Sequence, residues 1–537
     1  MSALRVLTAV RRGLAVRGRA VRGRAVRVRL VVALTVCVAG VVVVAAHGAG
    51  DPSTGLPPPP LRPLPSGSVS GSLTVDDSSV MAVPSSFFGL STEYWTLPYD
   101  ERNVGLYDRV ISLLRVPGDS PFVLRVGGDS SDHTFYDPAR RRMPAWAFAL
   151  TPAFAQRTAT IVRSMGLHVI FDLNLVTGTP GLAAAWAREA ETVMPRGSVV
   201  GFEVGNEPDL YERAIWMRLT GEQLNGRVLP QDMTPAGYAR DFARYSHALA
   251  GIAPPAALLG PALSHPRVDA LWIKTLLRSP HPGLREVSVH EYPYSACAFP
   301  GSSSYPTISR ILSQRASAGL AASVAPSVVL AHRAGLPVRV TEFNSVTCGG
   351  VAGVSDTFAT ALWAPDAGFE LLRVGAQSID LHARQSTVNA PFSFNAGGLV
   401  AHPLLYGLIM FVRTLSPHAH LLRSQLHMAA GANVKAWALA SPKGTLNVLV
   451  LDKGAHGVHL TMNLPAAGVA TVQRLLAPSP RAHTGVTLAG QWLDRNGTWH
   501  GRRTLGVLRP RLHRYHLWLP RYSAALVTVH LAPTRVI

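Results

Sequence analysis

The chain has 537 residues, 47% hydrophobic and 15% charged, which excludes a disordered polymer and exceeds one ordinary core, so two domains plus extra segments are expected. Its formal charge of +20 is unevenly spread: residues 1–29 carry nine arginines and no acid, and the rest holds 42 basic against 31 acidic side chains. Only four of the 51 basic residues are lysine, so the residual surplus is either compositional bias or a preference for an anionic partner. No nucleic-acid partner is expected.

Residues 1–29 are an arginine-rich region in which Ala15-Val16-Arg17-Gly18-Arg19 recurs at 20–24 and, imperfectly, at 25–29. The uncharged run 30–46 follows it. A basic flank before an apolar run of this length is an export signal or an uncleaved membrane anchor with its basic end in the cytoplasm. The rest of the chain is then extracytoplasmic, membrane-bound if the run is retained and secreted if it is cleaved. Residues 47–68 form a linker containing four consecutive prolines at 57–60, a stiff spacer. Residues 69–86 have β character and are expected to join a later β-sandwich.

From 87 to 415 strand-like runs alternate with helical patterns. The strand-like runs are 87–94, 122–126, 168–175, 199–204, 256–261, 286–290, 337–341 and 378–382. Eight such units predict a parallel (β/α)8 barrel, an α/β fold with its functional groups at the C-terminal ends of the strands. Helices are expected over 152–165, 235–252, 268–277 and 356–374. Thr234 before Pro235 and Ser355 before Asp356 are the predicted caps of two of them. From 416 to 537, short β-rich runs separated by Gly, Pro and Ser predict an antiparallel sandwich.

Glu207, in Val204-Gly205-Asn206-Glu207-Pro208, and Glu342, in Val340-Thr341-Glu342-Phe343, sit at the ends of the fourth and seventh strand-like runs. Two facing carboxylates are the minimum apparatus for breaking a glycosidic bond by the retaining route: Glu207 protonated as acid/base, Glu342 ionised as nucleophile. Asn206 beside the acid can bond a sugar 2-hydroxyl. Cys297 and Cys348 fall just past predicted strands, and in an exported protein they either pair across two mouth loops or remain two separate thiols. No His, Cys, Asp or Glu cluster has metal spacing, so neither metal nor cofactor is expected.

The ordered set Leu124-Arg125-Val126-Gly127-Gly128-Asp129-Ser130, Asn206-Glu207-Pro208, His290-Glu291-Tyr292, Cys348-Gly349-Gly350, Ser355-Asp356-Thr357-Phe358-Ala359, Arg384-Gln385 and Pro403-Leu404-Leu405-Tyr406-Gly407-Leu408 resembles glycoside hydrolase family 79, the β-glucuronidase and heparanase family. The resemblance covers about residues 75–415. It implies a retaining β-glucuronidase acting on glucuronides or uronate-containing glycans. It also implies roles: Glu93 and Gln385 facing sugar hydroxyls, Tyr292 donating to Glu342, and the Gly349–Gly350 backbone receiving the substrate carboxylate. Arg125 and Asp129 are expected to organise the mouth. The family's tyrosine after strand eight is missing, since that stretch reads Asn389-Ala390-Pro391-Phe392-Ser393-Phe394; His382, Arg384 or Tyr294 would have to stand in. The alternatives are a neutral-sugar glycosidase of the same clan, such as a β-glucosidase, xylosidase or arabinofuranosidase, and a non-catalytic glycan-binding surface protein.

Overall fold

The computed structural model describes residues 67–138, 145–220, 232–252, 257–512 and 514–531. The arginine tract, the apolar run and nearly all of the proline-rich linker lie outside the described residues. Among those described, no helix is long and apolar enough to cross a membrane.

Eight parallel strands close into a barrel: β1 (Phe88–Glu93), β2 (Val123–Gly127), β3 (His168–Leu173), β4 (Val199–Val204), β5 (Leu258–Leu263), β6 (Leu284–Glu291), β7 (Val338–Phe343) and β8 (Ser378–His382). Each hydrogen-bonds to its neighbour in sequence, and β8 closes on β1. These are the eight predicted runs. Their interior is not uniformly apolar. Strand alternation sends Leu124 and Val126 outward to the helices, while the intervening positions fill the barrel. At the bottom, Val123, Ile170 and Leu259 make a small apolar plug. Above it lies an ionic layer containing Arg125, Asp172 and Glu203, all fully buried.

The helices start where hydroxyls can cap them. In α1 (Pro152–Met165), Thr151 accepts from the Phe154 amide, and in α2 (Pro235–Leu249), Thr234 accepts from the Gly237 amide. The predicted cap Ser355 is a correction. The helix α3 (Phe358–Arg373) begins after Thr357, because Ser355 Oγ instead accepts from Val351 N–H at 2.9 Å and Asp356 from Gly353 N–H at 2.8 Å. Both side chains serve the turn that follows Gly350. Behind β8, α4 (Pro403–Thr414) is almost wholly buried. It crosses α3 closely enough that a Cβ at Gly407 would lie 2.3 Å from the Ala361 carbonyl oxygen.

The C-terminal strands form a curled sheet that fits the expected sandwich, but it is mixed rather than purely antiparallel. Strand Ser68–Ala82 lies between His420–Met428, antiparallel, and Gly457–Asn463, parallel. Because it arrives from the opposite end of the chain, no hairpin dictates its direction. Alternation in Thr445–Asp452 serves two cores. Leu446, Val448 and Val450 fill the sheet's own interior, while Leu449 and Leu451 join the core shared with α3 and α4. At that junction Lys453 Nζ meets Asp366 Oδ2 at 2.6 Å, both side chains without exposure, and Trp437 Nε1 donates to the same carboxylate.

Candidate active site

One guanidinium organises the barrel mouth. From β2, Arg125 bonds Glu203 of β4 (Nε–Oε2 2.8 Å), Asp172 of β3 (3.1 Å), Asn206 Oδ1 (3.1 Å) and Glu342 Oε2 of β7 (3.0 Å). A planar fork of five donors fits this role where a lysine would not. Burial opposes ionisation of Glu203, yet Arg125 and His290 hold its carboxyl below the ordinary range. Burial dominates at Asp172 and pushes its carboxyl well up.

Glu342 is therefore approached from both sides. Its Oε1 accepts from the Tyr292 hydroxyl at 2.7 Å and lies 3.1 Å from His382 Nδ1, while Arg125 takes Oε2. Burial alone would raise this carboxyl; His382, His290 and Arg125 together hold it well below the ordinary value. Glu207, just past β4 and in a left-handed backbone conformation (φ 49°), has one close partner, His290 Nδ1 at 3.0 Å. Its carboxyl is pushed up by burial and by the charges of Glu342 and Asp209, against His290. One carboxylate oxygen from each glutamate and a His290 nitrogen all lie within 4.8 Å of one another. Two carboxyls of one residue type thus face each other in opposite electrostatic settings.

The other predicted residues divide. Asn206 is buried beside the pair, with Oδ1 turned to Arg125 and its backbone N–H given to the Tyr211 hydroxyl. Glu93 ends β1, buried, accepting from the Ser130 amide at 2.7 Å and 3.7 Å from His382 Nε2. Burial and then Asp129 push it up to about 7. Asp129 keeps solvent exposure although protein surrounds it. Burial and Glu342 raise its carboxyl, an effect that water in the mouth screens.

Gln385 is buried just past β8, its amide nitrogen bonded to buried Asp100 and its Oε1 enclosed with no hydrogen-bond partner among the described residues. Tyr294 is likewise turned away, its hydroxyl bonded to the Arg310 carbonyl and Ser313. In the stretch after β8, Asn389 is a buried pin: its Nδ2 donates to the Val346 carbonyl and its own carbonyl accepts from Asn344. Cys297 and Cys348 are bonded to each other, joining the loops after β6 and β7. Directly after Cys348, Gly349 and Gly350 both have positive φ (78° and 87°), and the Gly349 carbonyl accepts from the Val388 and Asn389 amides.

Sequence reasoning assigned no role to His290, Glu203 or Asp172. Charges at alternate positions of otherwise apolar strands, Phe171-Asp172-Leu173 and Phe202-Glu203-Val204, were the available signal. Metal-like proximity exists in two groups, Glu207–His290–Glu342 and Asp209–His265–Asp269, which chain spacing does not reveal. In the first, the ligand atoms are already committed to the hydrogen bonds above. A groove of about 800 Å3 on the helical exterior, lined by Pro180, Ala239, Arg240 and His247 among others, includes none of the mouth residues.

No protein-family model matches the chain. It is 23% identical over 491 residues to a β-glucuronidase from Aspergillus niger, spanning 79% of this chain and 86% of that one. In fold it resembles a 4-O-α-L-rhamnosyl-β-D-glucuronidase from Fusarium oxysporum, with TM-score 0.68 and 18% identity over 85% of this chain and all of that one. A GH51 arabinofuranosidase from Xanthomonas axonopodis pv. citri gives TM-score 0.62 and 14% identity over 86% of this chain and all of that one. These relatives and neighbours are glycoside hydrolases, and the paired carboxylates of this chain are consistent with an O-glycosyl hydrolase.

Proposed function

We propose that the protein is a retaining β-glucuronidase of the family 79 type, working by double displacement. The observation that carries this reading is the facing pair: Glu342 held ionised by Tyr292, His382 and Arg125, and Glu207 pushed towards its protonated form, with oxygens within 4.8 Å. A separation this short leaves no room for a water between carboxylate and sugar, which favours retention. Glu342 attacks the anomeric carbon while the bond to the leaving oxygen breaks and Glu207 supplies that oxygen's proton. Glu207 then takes a proton from water as the hydroxide attacks the same carbon and frees Glu342.

A glucuronate substrate is supported by the names of the Aspergillus and Fusarium proteins, and by His382, whose imidazole is pushed towards its charged form by Glu342 and Glu93 against burial. A neutral-sugar glycosidase is the second reading, favoured by Asn389, which brings no phenol to the sugar carboxylate. Hydrolysis of aryl β-glucuronide, β-glucoside, β-xyloside and α-arabinofuranoside decides between them. Turnover of the glucuronide with the β-anomer formed first in NMR is expected; turnover of only a neutral glycoside overturns the uronate reading. Glu342→Gln should abolish turnover and Glu207→Ala should lower it by about 10²–10⁴-fold. The residues 1–46 and the Cys297–Cys348 bridge support an exported protein, held at the membrane or released from it. Fractionation of the producing cells tests this, and a cytoplasmic pool alone sinks it.

A further inference from the structure

At the barrel mouth, four rings from the loops after β1, β2 and β4 meet in a feature that the proposed chemistry does not use. Trp95 lies two residues past the end of β1, His133 and Trp146 follow β2, and Trp216 stands on the short helix Arg213–Thr220 after β4. His133 is the hub, with ring centroids 5.7 Å from Trp95, 6.1 Å from Trp146 and 5.4 Å from Trp216. All four side chains are half-buried, so each keeps a surface open to solvent. Burial lowers the His133 pKa, which favours the uncharged ring, and its Nδ1 is fixed by the Trp146 carbonyl at 3.0 Å. The Arg384 guanidinium lies 5.5 Å over the Trp95 ring.

Two links tie this wall to the reacting centre. Tyr211, whose ring lies 6.3 Å from Trp216, accepts from the Asn206 amide and donates to Asp132, so the wall is anchored one residue from Glu207. At the other end Trp95 is two residues from Glu93, and Asp129 lies four residues before His133.

We infer that the Trp95–His133–Trp146–Trp216 wall is a saccharide subsite that stacks a second pyranose ring beside the one whose bond is cleaved. The C–H face of a pyranose is apolar and flat, and half-exposed indole faces next to polar groups are the surface that suits it. The inference rests on the glycosidase reading and narrows it to substrates of at least two rings.

The test uses the full protein and Trp216→Ala and Trp95→Leu, with unchanged thermal midpoints as the folding control. The substrates are the β-glycosyl fluoride of the preferred sugar, whose leaving group fills no ring site, and disaccharides that extend that sugar at its aglycone or at a glycone hydroxyl. The expected result is kcat/KM reduced at least tenfold on one disaccharide class and less than twofold on the fluoride; the class affected tells which side of the cleaved bond the wall serves. Equal losses on fluoride and disaccharides, or no loss on either, overturn the subsite. Calorimetric binding of the same disaccharides to Glu342→Gln, with and without each wall substitution, reads the wall even if hydrolysis itself fails. Affinity lost tenfold with the wall supports the subsite; affinity independent of the wall overturns it. Absence of turnover on every glycoside sinks the glycosidase reading alone.

Discussion

Tyr292, His382 and Arg125 all address one carboxylate, and that arrangement sets an expected pH profile. Under the proposed chemistry, activity rises as Glu342 loses its proton, below the ordinary glutamate range, and falls as Glu207 loses its proton, above that range. The two titrate as a pair, so the limbs of the bell belong to both. Tyr292→Phe removes a donor to the charged form, a bond worth about 1.5–3 kcal/mol. The acid limb of kcat/KM should then move up by about one pH unit, and an unmoved limb would deny Tyr292 this role. Arg125→Met strands Glu203 and Glu342 without their shared cation. It should cost about 3–5 kcal/mol in chemical unfolding. Arg125→Lys should recover little of this, because an ammonium cannot reach four partners spread over β3, β4 and β7.

At the scale of elements, the loops after β6, β7 and β8 are braced together by the Cys297–Cys348 bond and by Asn344 Nδ2, which donates to the carbonyls of His382 and Asn389. Gly350 is the tightest point of that brace. A Cβ there would lie 2.9 Å from Ser355 and 3.0 Å from Asn389, at a φ of 87°. Gly350→Ala should therefore strain the loop by about 1–3 kcal/mol. If the glycine pair receives a substrate carboxylate, KM for the glucuronide should rise more than kcat falls. A steady-state comparison in which only kcat changes would remove the carboxylate role from this loop.

For the whole molecule, the barrel and the curled sheet share one core, and an ion pair is sealed inside it. Burial works against the Asp366 charge, but Lys453 and Lys435 hold its carboxyl below the ordinary value. The linkage has a definite sign: a lowered folded pKa contributes stability that is present above the unfolded pKa and lost as pH falls through the folded one. Asp366→Asn should cost about 3–5 kcal/mol by stranding Lys453, read as a lower thermal midpoint at pH 7 and a smaller difference from the parent protein in acid. The double change Asp366→Leu with Lys453→Met should regain most of the loss. A midpoint as low as in the single variant would show that the pair is needed for more than its own neutrality.

The eight barrel strands, the helix over 152–165, the helix expected over 235–252 that ends at Leu249, and the placing of Glu207 and Glu342 at strand ends were legible in the chain because each depends on local periodicity. Thr234 was legible as a cap for the same reason: its partner is three residues away. Ser355 was misread because its hydroxyl is claimed by a turn shaped by the glycine pair, and the bond from Gln385 to buried Asp100 was not legible because the two lie 285 residues apart. The direction of the strand Ser68–Ala82 depends on neighbours at least 338 residues away in sequence, the separation of Ala82 and His420. What the linear order determined was the alternation that builds a barrel and the chemical types brought to its rim. Which carboxyl is charged, which rings form a wall and which cation they share depended on groups from different strands meeting in a space with little water. There burial and Coulomb interactions act over a few ångströms, and separation along the chain carries no information about them.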